Sequence, residues 1–162
     1  MGERTDLKVP FRRAAVELCL GGQAARRVEL FLAENVDKVW PRQAVLDLLE
    51  GDRRFLPCRD IELGTLTLIN RDHIMWLAIA PHDLRDIGAE SAELGPLFDQ
   101  RYPVTLQLAG GIKLDGAILY SAPVEHARLA DHMNHPGSFL ALHWSDQVLL
   151  VRKSAVLEIV ER

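Results

Sequence analysis

Four histidines and one aspartate stand close together in the last third of the chain, and imidazole and carboxylate groups in such numbers can bind a metal ion. The five residues are His126, Asp131, His132, His135 and His143. His132 and His135 are three positions apart, so on a helix they would share one face. His135 directly precedes Pro136, however, and is expected beyond the end of that helix. Since no further ligand stands at a characteristic spacing, we predict a polar helix face and no metal.

The sequence offers little for covalent or cofactor chemistry. Cys19 alternates with leucines and Cys58 follows Pro57, so both thiols are expected to be small buried side chains. The chain has no Gly-x-Ser-x-Gly elbow, phosphate-binding loop, dinucleotide-binding fingerprint or His-Glu-x-x-His motif. Two cysteines in unrelated contexts are typical of a reducing compartment. We therefore predict a non-enzymatic cytoplasmic protein that needs no cofactor.

The composition is that of a globular protein. The 162 residues are 48% hydrophobic and 26% charged, with a formal net charge of -4. A mildly acidic chain disfavours a broad nucleic-acid-binding surface, because such surfaces depend on clustered lysine and arginine. No apolar run is as long as a membrane span, and the N-terminal residues lack the apolar core of a secretion signal. We expect no membrane partner, while a local basic patch stays open.

The two halves of the chain share one pattern. Each has an alternating strand that ends in a Gly-Gly turn, at 21–22 and again at 110–111, which is typical of a hairpin. Each continues through a second strand, a proline-led helical stretch, a Phe-Leu pair and two more apolar strands. The matched residues are 88, 84 and 82 positions apart, for Val16 with Val104, Phe55 with Phe139 and Ile69 with Val151. This slow drift favours an internal duplication.

We predict two domains joined by a linker. Residues 1–80 form a divergent repeat and residues 101–162 a second repeat, and helical spacing of apolar residues in 81–100 predicts a short linking helix. Short alternating strands are typical of antiparallel sheets, and a small sheet hides its edges by closing into a barrel. The expected fold class is mainly β, with two tandem five-stranded antiparallel barrels. Each barrel carries an inserted short helix, predicted over Pro41–Leu49 and Pro123–Asn134.

Gly116 stands in the middle of a predicted strand, where glycine ordinarily weakens the structure. A missing side chain at an inward-facing position lets a strand bend over a very small core. We therefore predict that Gly116 is a bending point of the second repeat. In the first repeat the matching position is taken to be Arg27, which makes that repeat the divergent copy.

At this point a family resemblance emerges. The stretch VTLQLAGGIKLDGAIL, residues 104–119, resembles the first signature of the Sm/LSm family, including its bacterial RNA-chaperone branch. LLVRKSAVLEIV, residues 149–160, resembles the second signature, and DHMN, residues 131–134, is similar to the stretch that closes the first. The resemblance covers most of 104–160 and, more weakly, 16–79. It implies Sm-like five-stranded barrels, which in that family assemble into rings and bind RNA.

The resemblance also implies a set of RNA-binding residues. Asp131 and Asn134 would contact a base, and Arg152 and Lys153 would face RNA from the neighbouring turn. The sequence departs from the family in its inserted helix and in a turn that lacks the family's glycine or histidine. The alternative is that Asn134 ends the inserted helix, while Asp131 and Arg152 are solvated surface charges.

Two functions therefore compete for a non-enzymatic binding module. One is RNA binding through Asp131, Asn134, Arg152 and Lys153. The other is interaction with a protein partner, or homo-oligomerisation, through exposed strand edges. The acidic charge and the divergent first repeat favour protein interaction, whereas the basic turn of the second repeat favours RNA.

Overall fold

The computed structural model describes residues 12–32, 41–79, 100–120, 129–145 and 147–162. Ten strands and two α-helices lie within these residues, with a 3-10 turn at Arg71–His73 and another at Lys153–Ala155. The elements of the first half are β1 (Arg12–Leu20), β2 (Arg26–Leu32), α1 (Pro41–Glu50), β3 (Phe55–Asp60), β4 (Leu66–Asn70) and β5 (Ile74–Ile79). Those of the second half are β6 (Gln100–Leu108), β7 (Ile112–Tyr120), α2 (Leu129–Met133), β8 (Phe139–Trp144), β9 (Gln147–Arg152) and β10 (Val156–Glu161).

All ten strands belong to one antiparallel sheet with the order β10-β6-β7-β8-β9-β5-β1-β2-β3-β4. We call β1–β5 with α1 the first unit, and β6–β10 with α2 the second unit. Within each unit the order is the same, because the fifth strand pairs with the first and the remaining strands follow in sequence. The units are joined where β5 pairs with β9, a junction that we call the seam. The repeated strand order agrees with the internal repeat read from the sequence.

The expectation of two tandem barrels needs correction. The prediction of a mainly β, antiparallel fold is confirmed, but the strands form a single continuous sheet. The last strand of the first unit is covered along its edge by β9 of the second unit, so each unit completes its neighbour's sheet. In a closed barrel, the free edges of β5 and β9 would each pair within their own unit. Here these two edges pair with each other, between the units.

The predicted helices agree with the structure as far as it describes them. The helix predicted over Pro41–Leu49 is α1, Pro41–Glu50. Of the second predicted helix, Pro123–Asn134, residues 121–128 lie outside the described residues, and the described part is helical over Leu129–Met133. Residues 80–99, which contain nearly all of the predicted linker helix, also lie outside them. The proposed domain boundaries stay predictions.

Gly116 provides a close approach between two strands. A Cβ atom at this position would lie 2.7 Å from the backbone oxygen of His143 and 2.7 Å from Cγ of Leu142, both on β8. A Cβ atom there would collide with β8, so glycine is required for this close approach, while the predicted bend of the strand at Gly116 stays a prediction. The prediction that Arg27 is the matching position in the first unit was wrong, however. Gly116 pairs with Val104, and Val16, the counterpart of Val104, pairs with Val28 rather than Arg27.

The hydrophobic core consists of two clusters that exchange side chains across the seam. The first cluster lies in the first unit but includes Phe139 and Leu150 from β8 and β9. The second cluster lies in the second unit but includes Met75 and Ala78 from β5. Each unit therefore fills part of the other's core, and the seam is held by buried apolar area as well as by strand pairing.

Candidate interaction edges and the seam

Arg152, a predicted RNA contact, lies at the seam and binds the first unit. Its Nε donates a hydrogen bond to the backbone oxygen of Ile74 at 2.8 Å, and its guanidinium also donates to the backbone oxygen of Arg71. The guanidinium stacks 4.6 Å from the ring centre of Phe139. Burial lowers the pKa of Arg152 from its usual value, while nearby Asp72 raises it. The hydrogen-bond donors of Arg152 bind the first unit and its planar guanidinium stacks on a ring of the second unit, so this side chain joins the two units.

The other three predicted RNA contacts surround α2. Nζ of Lys153 donates to the backbone oxygen of His135 at 2.8 Å, in the loop that follows the helix. Asn134 directly follows the helix, as the alternative predicted, and its Nδ2 donates at 2.8 Å to the backbone oxygen of Ala130, which also accepts from the backbone nitrogen of Asn134. Asp131 is exposed on the helix itself. Lys153 is thus brought to the segment that carries Asn134, whereas Arg152 points to the seam.

The end of α1 makes a further contact across the seam. Oε1 of Glu50 accepts hydrogen bonds from the backbone nitrogens of Ser138 and Phe139, at 2.7 Å and 2.9 Å. A carboxylate that accepts two amide hydrogen bonds fixes the start of β8 against the helix of the first unit. The seam therefore combines strand pairing, exchanged core residues, one arginine and one carboxylate.

Exposed apolar side chains concentrate at the two ends of the sheet. Five of the seven large hydrophobic residues that are exposed in the described part of the chain lie on β10, on β4 or on β3 beside it. The exposed fractions are 53% for Phe55, 69% for Leu66, 68% for Leu68, 72% for Leu157 and 41% for Val160. We call the first three residues with β4 the β4 edge, and the last two with β10 the β10 edge. Among the described strands, these two alone lack a neighbour on one side.

The counterparts of the β4-edge residues are buried in the second unit. Phe139, Val148 and Leu150 occupy the same positions of β8 and β9, and they are only 7%, 6% and 1% exposed. Phe139 and Leu150 owe their burial to the first cluster across the seam. As a result β9 is buried on both faces, whereas β4 buries only Ile69. The two strands are similarly apolar, so what differs is the presence of a neighbouring unit.

The same relation holds for the β10 edge. Leu157 and Val160 correspond to Met75 and Ala78 of β5, which are 9% and 8% exposed and pack in the second cluster across the seam. The exposed residues of β10 thus occupy positions that are buried wherever a second unit lies beside them. Both edges resemble one side of the seam with its partner missing.

A shallow groove also crosses the seam. It has a volume of about 320 Å³ and lies between Trp76 and Trp144, with Glu17, Lys113 and Asp115 around it. Its charged residues carry both signs and its aromatic residues belong to different units. The groove follows from the way in which β5 and β9 meet, and it shows no preference for one charge of ligand.

The described residues show little that could support catalysis or metal binding. No group of three His, Cys, Asp or Glu side chains among them is arranged to hold a metal ion. Burial raises the pKa of the Cys58 thiol to about 11 and also raises that of Cys19, which disfavours nucleophilic thiolates. Burial lowers the pKa of His132, and Lys153 and His135 lower it further. None of the described helices is long and apolar enough to cross a membrane.

Comparison of the chain with protein-family models, with curated proteins and with solved structures finds no match in any of the three. The candidate site therefore depends on the geometry of this chain alone. Sequence reasoning anticipated exposed strand edges but named none of their residues. The available signal was the internal repeat, because aligning β3 with β8, β4 with β9 and β5 with β10 pairs each exposed edge residue with a buried one.

Proposed function

We propose that this protein is a non-enzymatic interaction module that binds protein through the two end strands of its sheet. The observation that carries the proposal is the position of its exposed apolar residues. Monomeric proteins normally blunt sheet edges with charge, proline or a covering segment. Here β4 has no charged residue and offers Leu66 and Leu68 next to unpaired backbone groups, while β10 offers Leu157 and Val160 beside Glu158 and Glu161. Such edges favour addition of a strand from a partner.

RNA binding through Asp131, Asn134, Arg152 and Lys153 has less support. RNA modules usually need exposed cations and aromatic stacking surfaces. Arg152 is engaged at the seam, and Lys153 and Asn134 each hold a backbone carbonyl. A family resemblance to the Sm-like proteins, with their ring-forming barrels, accords with either function and gives no preference. We therefore propose protein as the ligand.

A photo-crosslinking amino acid tests the proposal in the native cell. It would replace Leu68 on β4 or Leu157 on β10, and in the control it would replace Leu63. Leu63 is a suitable control because it is 74% exposed and lies in a turn outside the strands. We expect protein adducts, identified by mass spectrometry, from positions 68 and 157 but not from 63. RNA adducts alone, or equal protein adducts from all three positions, would contradict the proposal.

A further inference from the structure

We infer that the β4 edge and the β10 edge are two halves of one joint, which binds a second copy of this chain in head-to-tail order. The inference rests on the proposed function and names the partner. At the seam, the last strand of the first unit pairs with the fourth strand of the second unit. The two unpaired edges are equivalent to the two strands of the seam. β10 is the last strand of its unit, like β5, and β4 is the fourth strand of its unit, like β9.

The seam also supplies the register of the joint. Its paired residues are Trp76 with Val151, Leu77 with Leu150, and Ala78 with Leu149. The repeat relates β5 to β10, and β4 to β9, by 82 positions, because Ile74 corresponds to Val156 and Leu66 to Val148. Transferring the register by this amount gives pairs between two copies: Glu158 with Ile69, Ile159 with Leu68, and Val160 with Thr67.

Side-chain packing in the joint follows from the exchange at the seam. Phe139 and Leu150 enter the core of the first unit, so Phe55 and Leu68 of one copy are placed to cover the second-unit core of the next. Conversely, Leu157 would be covered by the first unit of the copy that contributes Phe55 and Leu68, as Met75 is covered by the second unit at the seam. Phe55, Leu68, Leu157 and Val160 thereby find the kind of surface that buries their counterparts Phe139, Leu150, Met75 and Ala78 at the seam.

A polar contact of the seam has a counterpart at the joint as well. Glu50 at the end of α1 accepts hydrogen bonds from the start of β8. Its counterpart 84 positions later is Asn134, whose side-chain nitrogen binds its own helix. The carboxamide oxygen of Asn134 has the acceptor chemistry to bind the backbone nitrogens of Arg54 and Phe55 in the second copy. Asn134 thus gains a role at a protein interface.

One contact of the seam is missing at the joint. Arg152, which pairs with Phe139 and stacks on its ring, corresponds to Asn70, which pairs with Phe55. Asparagine lacks the cation and the reach of arginine. The joint between copies is therefore weaker than the seam, and association should be reversible and depend on concentration. Because the joint uses two different edges, an open chain of copies keeps one free edge of each kind and grows into a filament, or it closes into a ring when its two ends meet.

Two variants that each block one edge test the inference with purified protein. Leu68→Lys places a charge on the β4 edge and Leu157→Lys on the β10 edge, while Leu63→Lys is the control with equal charge. All three positions are exposed, so the fold should persist, which circular dichroism checks. In analytical ultracentrifugation we expect wild type and control to associate with concentration. Each blocked variant should be monomeric alone, and a 1:1 mixture of the two should give a dimer and nothing larger.

Other outcomes would overturn the inference in distinguishable ways. If Leu157→Lys dimerises alone, the joint is a symmetric pairing of β4 edges and head-to-tail order is wrong. If wild type stays monomeric while the crosslinker at position 68 captures a different protein, the second copy is wrong but the proposed function stands. If no protein is captured either, both fail. A gain-of-function variant adds a further test, since Asn70→Arg should tighten association about fivefold relative to Asn70→Ala, and an unchanged dissociation constant would contradict the joint.

Discussion

At the scale of single residues, Gly116 is a position of the second unit where the absence of a side chain is required by close packing. Its hydrogen faces β8 at a distance where even a methyl group would collide with Leu142 and His143. Leu142 is fully buried, so it has little room to move away. The close packing of β7 on β8 at this point thus depends on an absent Cβ and not on an unusual backbone conformation, since the φ angle of Gly116 is not in the left-handed region.

Replacement of Gly116 should therefore destabilise the protein. We expect Gly116→Ala to lower the free energy of unfolding by about 1 to 3 kcal/mol, as overpacking of a core does. Gly21→Ala is the matched control, because a Cβ there would meet nothing within 4 Å and the φ angle of Gly21 is ordinary. Urea denaturation followed by circular dichroism measures both variants. An equal effect of the two substitutions would show that the approach of β7 to β8 is not tight.

Cys58 makes stability depend on alkaline pH. Burial raises the pKa of its thiol from 9.0 to about 11 in the folded protein. Between these values the unfolded thiol ionises while the folded thiol stays protonated, so the unfolded state is favoured. Its stabilising contribution is complete below pH 9 and is lost as the pH rises toward 11. In urea titrations at pH 8 and pH 10.5, wild type should lose more stability than Cys58→Val, and equal losses would contradict the buried thiol.

At the scale of elements, the seam shows how two similar units become one sheet. β9 is apolar on both faces because one face packs in each cluster, and β5 has the same property. Arg152 then joins backbone groups of the first unit to the aromatic ring of Phe139. A residue that looked like a surface cation in the sequence is a structural contact between the units.

The two neighbouring cations of this turn should therefore behave differently when removed. Arg152→Ala loses charge-assisted hydrogen bonds and a cation–π contact, and we expect it to cost about 2 to 3 kcal/mol of stability. Lys153→Ala removes only an exposed hydrogen bond and should cost less than about 0.5 kcal/mol. Thermal and urea denaturation compare them. Equal costs would mean that Arg152 does not hold the seam. For the same reason, Lys153→Ala is the cleaner variant in any RNA-binding assay.

The strands, hairpins and helix could be predicted from the sequence more fully than the contacts at the seam and at the sheet edges. Alternating apolar residues, the Gly-Gly turns and the proline at the start of α1 identified the strands, hairpins and helix because these are local signals. The pairing of β5 with β9 is a long-range contact with no local signature, so two closed barrels were expected in its place. The role of Arg152 was missed for the same reason, since Ile74 and Arg71 are about 80 positions away.

At the scale of the whole molecule, the described strands form a sheet with one junction between the units and two unmatched ends. The internal junction buries the residues whose counterparts at the ends are exposed, among them Leu150 against Leu68 and Met75 against Leu157. Heterologous joining of such ends needs no new type of contact, because the seam already contains it. The central claim is that copies of the chain associate in the register of the seam.

Disulfide formation between copies tests that register most directly. Chains carrying Leu68→Cys are mixed with chains carrying Ile159→Cys and oxidised gently, and a parallel mixture uses Leu66→Cys, two residues out of register. The native thiols of Cys19 and Cys58 are buried and should not compete. Directly paired residues lie within the Cα separation that a disulfide requires. We predict that mass spectrometry finds a disulfide between positions 68 and 159 in high yield and little between 66 and 159. Equal yields, or linkage chiefly between two copies of position 68, would contradict the account.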